Sequence, residues 1–321
     1  MTVSKTNTII ELEKAERYAE AGYGRLFAYD STNFNAMIDA RTKAKYIKGL
    51  NETTYNETQN ELVYSGPTVF YDGSINIKHH HIDKMDIKSA YLAYLVNEKI
   101  KKPSVYRIKK NGTVPLSDKV VLYVVRFKCK KTNMFVKWFL NSSAIQKKKF
   151  KTDGNYISGE VAIFSSTWMN NLHYVNKFLS PDQAKVVKSY IFVGRNAVPV
   201  TMSQIHKLYE MKEYGIKKAK MMLVQSTGWL SLIDKPTYYH MVQYIKYHLL
   251  KTIYDYGIED NIVGVQTDCL FFKSVDGIPE TIMNNKVTVS GKESSIGTYT
   301  HKRVYHTEIE TMKARVILKD V

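Results

Sequence analysis

Ile262-Val263-Gly264-Val265-Gln266-Thr267-Asp268-Cys269-Leu270-Phe271-Phe272 sets two apolar runs around a short polar break. Runs of this kind on either side of such a break read as a β-hairpin, with Asp268 projected at its tip. A second segment has the same character. Ile82, Met85 and Ile87 lead into Asp86-Ile87-Lys88-Ser89-Ala90-Tyr91, so another apolar strand ends at an aspartate. From Ser89 onward a helix is expected to residue 99, with Tyr91, Leu92, Leu95 and Val96 as its apolar stripe. Taken singly, Asp86 reads as a helix cap and Asp268 as a turn residue, both common uses of aspartate. The two lie more than half the chain apart, and strands set side by side would unite them. Two such carboxylates can bridge Mg²⁺ ions about 3.5–4 Å apart, a spacing suited to in-line displacement at phosphorus. Magnesium prefers hard oxygen ligands and keeps substrate phosphates in its shell.

Composition narrows the partner. The chain has 321 residues, enough to bury a real core, and 44% of them are hydrophobic. Its 47 Lys and Arg against 30 Asp and Glu leave a formal net charge of +17. A bland basic surface would explain that charge alone. The 24 tyrosines interleaved with lysines, as in Lys101-Lys102-Pro103-Ser104-Val105-Tyr106-Arg107, favour nucleic acid, since lysines neutralise phosphates while aromatic faces stack on bases. Cys129 and Cys269 are the only cysteines, too few for a disulfide framework or a Cys-His zinc site. Residues 1–20 lack the apolar core of a signal peptide, and no segment approaches a membrane span, so a cytoplasmic protein is expected, in the host cytoplasm if phage-encoded.

Residues 11–21 read as a short charged helix, 51–60 as a polar loop and 63–77 as a β-meander. Strands are expected over 119–127, 133–140 and 160–164, and a helix cap at 165–168. Two lysine-bearing helices, 203–214 and 217–225, flank Gly215. A long helix over 237–256 starts beside Pro236 and stops at Gly257. His79 and His81 share one strand face but have no third ligand near them in sequence, which argues against zinc. Lys147-Lys148-Lys149-Phe150-Lys151 reads as a solvated basic loop, with nucleic-acid contact as a second reading.

These residues resemble a family. Asp86-x-x-Ser89-x-Tyr91 is similar to the first polymerase motif of the family B DNA polymerases, D-x-x-S-L-Y-P. Val265-Gln266-Thr267-Asp268-Cys269 is similar to their Y-x-D-T-D-S motif. Lys220-Met221-Met222-Leu223-Val224-Gln225-Ser226-Thr227-Gly228 partly matches K-x-x-x-N-S-x-Y-G, keeping the lysine and the glycine. The resemblance covers roughly residues 64–305. It implies an α+β fold: an antiparallel β-sheet palm with packed helices and an inserted helical-hairpin fingers subdomain. The corresponding division is 1–62 as an N-terminal helical and loop region and 63–202 as the first part of the palm. Residues 203–228 would be the fingers, 229–305 the second part of the palm with the metal-binding hairpin, and 306–321 a tail or thumb remnant.

By the same resemblance Asp86 and Asp268 are catalytic and, with the Ile87 backbone, bind two Mg²⁺ ions that Mn²⁺ can replace. Ser89, Ala90, Tyr91 and Lys220 would meet the incoming nucleotide, with Tyr91 excluding a ribose 2′-hydroxyl; Lys212 and Lys207 are weaker matches. Lys302, Arg303 and Tyr305 resemble the K-x-Y element at the primer terminus, and Thr267 joins them as a DNA contact. The implied partners are primer-template DNA and dNTPs. The chain departs from the pattern at Gln266, where an aspartate is usual, at Cys269 in place of serine, and at Thr227 in place of tyrosine. Little sequence precedes Val63 or follows Tyr305, so neither a proofreading exonuclease nor a full thumb is expected. A replication partner supplying thumb or processivity would then be needed. The expected activity is a minimal template-directed DNA polymerase of a phage or mobile element. Its rivals are a primase or terminal nucleotidyltransferase on the same palm and a non-catalytic DNA-binding replication module.

Overall fold

The computed structural model describes residues 57–58, 60–62, 69–73, 80–97, 100–103, 108–111, 120–140, 150–164, 177–192, 202–217, 219–220, 223–224, 235–278, 281–282, 287–289, 292–294 and 299–304. In chain order the strands are β1 (Val69–Tyr71), β2 (Ile82–Ile87), β3 (Ile108–Asn111), β4 (Val120–Lys130), β5 (Lys151–Asp153), β6 (Tyr156–Phe164), β7 (Ala184–Phe192), β8 (Ile262–Gln266), β9 (Cys269–Lys273), β10 (Thr281–Ile282), β11 (Val287–Val289), β12 (Lys292–Ser294) and β13 (Tyr299–Val304). The helices are α1 (Ala90–Val96), α2 (Met134–Phe139), α3 (Met202–Glu213) and α4 (Lys235–Asp255).

Two antiparallel sheets carry the architecture. One has six strands in the order β1-β8-β9-β2-β13-β10, and the other five in the order β3-β7-β4-β6-β5. The chain is therefore α+β. In the six-stranded sheet β2 lies between β9 and β13, so segments distant in sequence become neighbours. One continuous core joins both sheets: Met85, Ile87, Leu270 and Phe272 from the first meet Val121, Tyr123, Val161 and Ile163 from the second, with Ile245, Leu249 and Ile253 of α4 among them. Burying each such side chain contributes roughly 1.5–3 kcal/mol. Gln243 of α4 also ties the helix to β6. Its Nε2 donates to the Ala162 carbonyl at 2.9 Å, and its Oε1 accepts from the Phe164 amide at 2.7 Å.

Local sequence explains where α4 ends. Gly257 adopts φ +62°, which glycine tolerates without a Cβ clash. The Ile258 amide then donates to the Ile253 carbonyl at 3.0 Å and the Gly257 amide to Tyr254 at 3.4 Å, a Schellman arrangement that turns the chain toward β8. Pro236 sits in the first turn, where its missing N–H has no intrahelical bond to lose.

The expected strand over 133–140 is instead the helix α2. The Asn133 side chain accepts from the Phe135 amide at 2.8 Å, capping the helix, and Phe135, Trp138 and Phe139 fall on one helical face against the core. Within the expected loop 51–60, Glu57, Thr58 and Asn60 are helical. Of the 63–77 meander the described part is β1, residues 72–73 and no more. The helix at 11–21 and the cap at 165–168 lie outside the described residues. Among the described residues no helix is long and apolar enough to cross a membrane.

Candidate nucleotidyl-transfer site

Antiparallel register brings the two aspartate segments together. β2 pairs with β9 so that Asp86 faces Cys269, and the Ile87 amide donates to the Asp268 carbonyl at 3.1 Å. Asp268 thus lies one step beyond Asp86 on the adjoining strand. Strand alternation sets Asp86 on the face of Ile82 and Lys84, while Met85 and Ile87 point into the helix-covered core.

Both aspartates are held by unusual backbone. β8 and β9 are joined by the two residues Thr267 and Asp268, and Thr267 adopts φ +62°. Ser89, between β2 and α1, adopts φ 52° and ψ 48°. These are the two non-glycine residues at positive φ among those described. A β-branched residue in this region is strained, and such strain gathers at functional sites.

The electrostatics follow from burial. Burial pushes the Asp268 carboxyl up to about 6; the charge of Asp86 adds to the rise, while its own backbone hydrogen bond and Lys84 oppose it. Burial raises Asp86 as well, against the pull of Lys84, Lys302 and Lys220. Each carboxylate is thus short of compensation for its negative charge. Asp86 and Asp268 border a cleft of about 450 Å³ whose lining includes Ser89, Tyr91, Lys212 and Lys220. Burial and the nearby Asp268 hold the Tyr91 hydroxyl protonated, its acidity shifted well beyond the ordinary tyrosine range.

The C-terminal end of α3 reaches this cleft. Lys212 Nζ meets Ser89 Oγ, and Lys88 Nζ lies 3.2 Å from Glu213 Oε2. Burial lowers the Lys212 ammonium below its usual range, with Lys88 and Lys220 adding repulsion. Lys220 is exposed at the cleft wall. Ala90 lies at the start of α1 and lines the cleft, as does Ile87, whose side chain is buried in the core. Lys207 lies on α3, its side chain outside what is described.

The K-x-Y residues separate. Lys302 pairs with Lys84 and shares the face of Asp86, whereas Arg303 pairs with Asp83 on the opposite face, its Nε 3.5 Å from Asp83 Oδ1. Buried Asp83 also has His301 Nε2 3.1 Å from its Oδ2. Tyr305 lies outside the described residues.

Lys84 is a site residue that the sequence reading passed over. A signal was present, because a residue two positions before Asp86 on a strand must share its face. Among the described residues there is no group of three or more His, Cys, Asp or Glu side chains arranged to hold a metal. Among the described residues, the oxygen donors at the cleft include the two aspartate carboxylates and neighbouring backbone carbonyls. Hard oxygen donors with uncompensated negative charge fit magnesium.

No protein-family model and no curated protein matches the chain. Among solved structures it is similar to phi29 DNA polymerase. An orthorhombic crystal form of that enzyme aligns with a TM-score of 0.56 at 12% identity, over 84% of this chain and 51% of that one. The same enzyme with primer-template DNA and incoming nucleotides aligns with a TM-score of 0.51 at 12% identity, over 78% and 48%. This chain spans about half the length of phi29 DNA polymerase, and at that identity the likeness shows a polymerase-like fold.

Proposed function

We propose that this chain is a template-directed DNA polymerase of the family B type, in which the six-stranded sheet is the palm and the α3 region the fingers. One observation carries the reading. Two desolvated aspartates from distant segments meet on adjoining strands, above a cleft whose other wall carries lysines. A polymerase-like fold and a strongly basic chain agree with it.

In this reading the primer 3′-oxygen attacks the α-phosphorus of a dNTP, the bond to the bridging oxygen breaks, and pyrophosphate leaves. Asp86 and Asp268, with the Ile87 carbonyl, would hold two Mg²⁺ or Mn²⁺ ions. Metals held there would supply a lowered pKa for the primer hydroxyl and compensating charge at phosphorus. Lys220 and Lys212 neutralise the triphosphate, and Ser89 and Ala90 border it. Moving onto phosphate, Lys212 must give up Ser89. Tyr91 presents its ring beneath the incoming sugar, where it leaves no room for a 2′-hydroxyl. Lys302 and Lys84, side by side on the Asp86 face, meet the primer backbone. Arg303 is directed to Asp83 and is given no primer contact.

Primer extension with labelled DNA tests the proposal. Metal-dependent incorporation of dNTPs is expected, with little use of NTPs. Absence of incorporation with Mg²⁺ and with Mn²⁺, even beside host replication proteins, would sink it. Synthesis from NTPs on primer-free single strands would identify a primase instead. Salt-sensitive DNA binding without turnover would identify a non-catalytic module.

A further inference from the structure

The five-stranded sheet has an open end that the proposed polymerase site does not use. Along β4, Val120 to Val125 are buried throughout, whereas from Arg126 to Lys130 exposed and buried residues alternate. Register shows which side chains share the open face. Glu160, Arg126 and Lys185 form one row across β6, β4 and β7. Lys151, Ser158 and Lys128 form the next, and Asp153, Tyr156 and Lys130 the third.

Charge on this face is unevenly matched. Arg126 donates to Glu160 Oε1 from two nitrogens, at 3.0 and 2.7 Å, which neutralises that pair. Lys128, Lys130, Lys151 and Lys185 are all exposed, and none forms an ion pair with another described residue. They outnumber the nearby carboxylates, Asp153 and Asp182. Tyr156 is 42% exposed, one of three large hydrophobic residues so exposed among those described, and Lys128 Nζ lies 5.7 Å from its ring centroid. A groove of about 590 Å³ crosses the face, bordered by Lys128, Lys151 and Lys185.

We propose that this face binds single-stranded nucleic acid, with the four lysines on successive phosphates and Tyr156 stacked on a base. Exposed residues recur about every 7 Å along a strand and about 5 Å between strands, a lattice of cations suited to an extended backbone. Stacking on Tyr156 requires an unpaired base, which a single strand offers and a duplex hides. An acidic protein segment would satisfy the lysines and leave the ring unused. The inference goes beyond the proposed polymerase reaction and does not depend on it.

The test is binding of a labelled oligothymidylate to the full chain in EDTA, read by fluorescence anisotropy across a salt series. Changing Lys128, Lys130, Lys151 and Lys185 together to Gln is expected to weaken binding at least about tenfold. It should also make log K against log salt shallower by about 3, the share of four phosphate contacts on a single strand. Tyr156→Ala is expected to weaken binding about tenfold with the salt slope unchanged. Thermal unfolding checks that each variant is folded. Should the fourfold variant not fold, Lys128→Gln and Tyr156→Ala singly, with a photocrosslinking residue at position 156, read the same contact. Wild-type affinity in these variants, or equal competition by duplex DNA or polyglutamate, overturns the proposal. Extension of a short primer-template should stay within about twofold in the fourfold variant. Where the wild type extends no primer at all, the binding result still stands.

Discussion

The cleft at Asp86 and Asp268 and the open end of the five-stranded sheet both gather charge, in opposite ways. In the cleft, carboxylates are desolvated, repel each other and sit beside the left-handed residues Ser89 and Thr267. On the open sheet, lysines stand in water at regular strand positions. The first arrangement opposes folding and makes sense if a ligand relieves it. The second costs almost nothing and suits a partner held by long-range attraction. On the readings proposed above, the difference separates a site for chemistry from a surface for contact.

The largest effect that would break this contrast is on activity. Asp86→Ala and Asp268→Ala should each reduce primer extension by about 10³-fold or more, on the scale of losing a charge-stabilising catalytic group. Near-normal rates would remove the cleft from catalysis. Stability should move the other way. Asp268 titrates higher in the folded state than in the unfolded chain, so its penalty is absent below about pH 4 and complete above about pH 6. Asp268→Asn should therefore stabilise the metal-free protein at pH 8 by about 2 kcal/mol and leave it unchanged at pH 4. Urea unfolding at the two pH values measures this, and equal effects at both would refute the burial argument.

Thr267→Gly sharpens the backbone half of the comparison. Glycine accepts positive φ without the Cβ clash, and the variant should gain about 1 kcal/mol in the same assay. The smallest effect is expected on the open sheet: Lys128→Ala should stay within about 0.5 kcal/mol of the parent. A larger change there would show that the lysine supports the fold as well as a ligand.

Much of the cleft was legible in sequence because aspartates that interrupt apolar strands stand out. The hairpin at Thr267 and Asp268 has the expected form, and the strand carrying Asp86 runs one residue further, to Ile87. What was less legible depended on partners across space. Phe135, Val136, Trp138 and Phe139 read as a strand until the Asn133 cap and the one-sided core contact are seen. Arg303 and Lys302 could not be assigned to faces before the β2–β13 register was known. The basic face on β4 to β7 was legible only at Lys151, within the basic run 147–151, because Lys128 and Lys185 join it from other strands. Lys84 is different, because alternation alone sufficed to find it.

The pairing of β2 with β9 also governs how errors in assembly would show themselves. Slipping β2 by one position would exchange its two sides, turning Asp86 under the helices and presenting Met85 or Ile87 to the cleft. On the proposed reading such molecules would be inert rather than weakly active, and primer extension per unit protein would then count the correctly registered fraction.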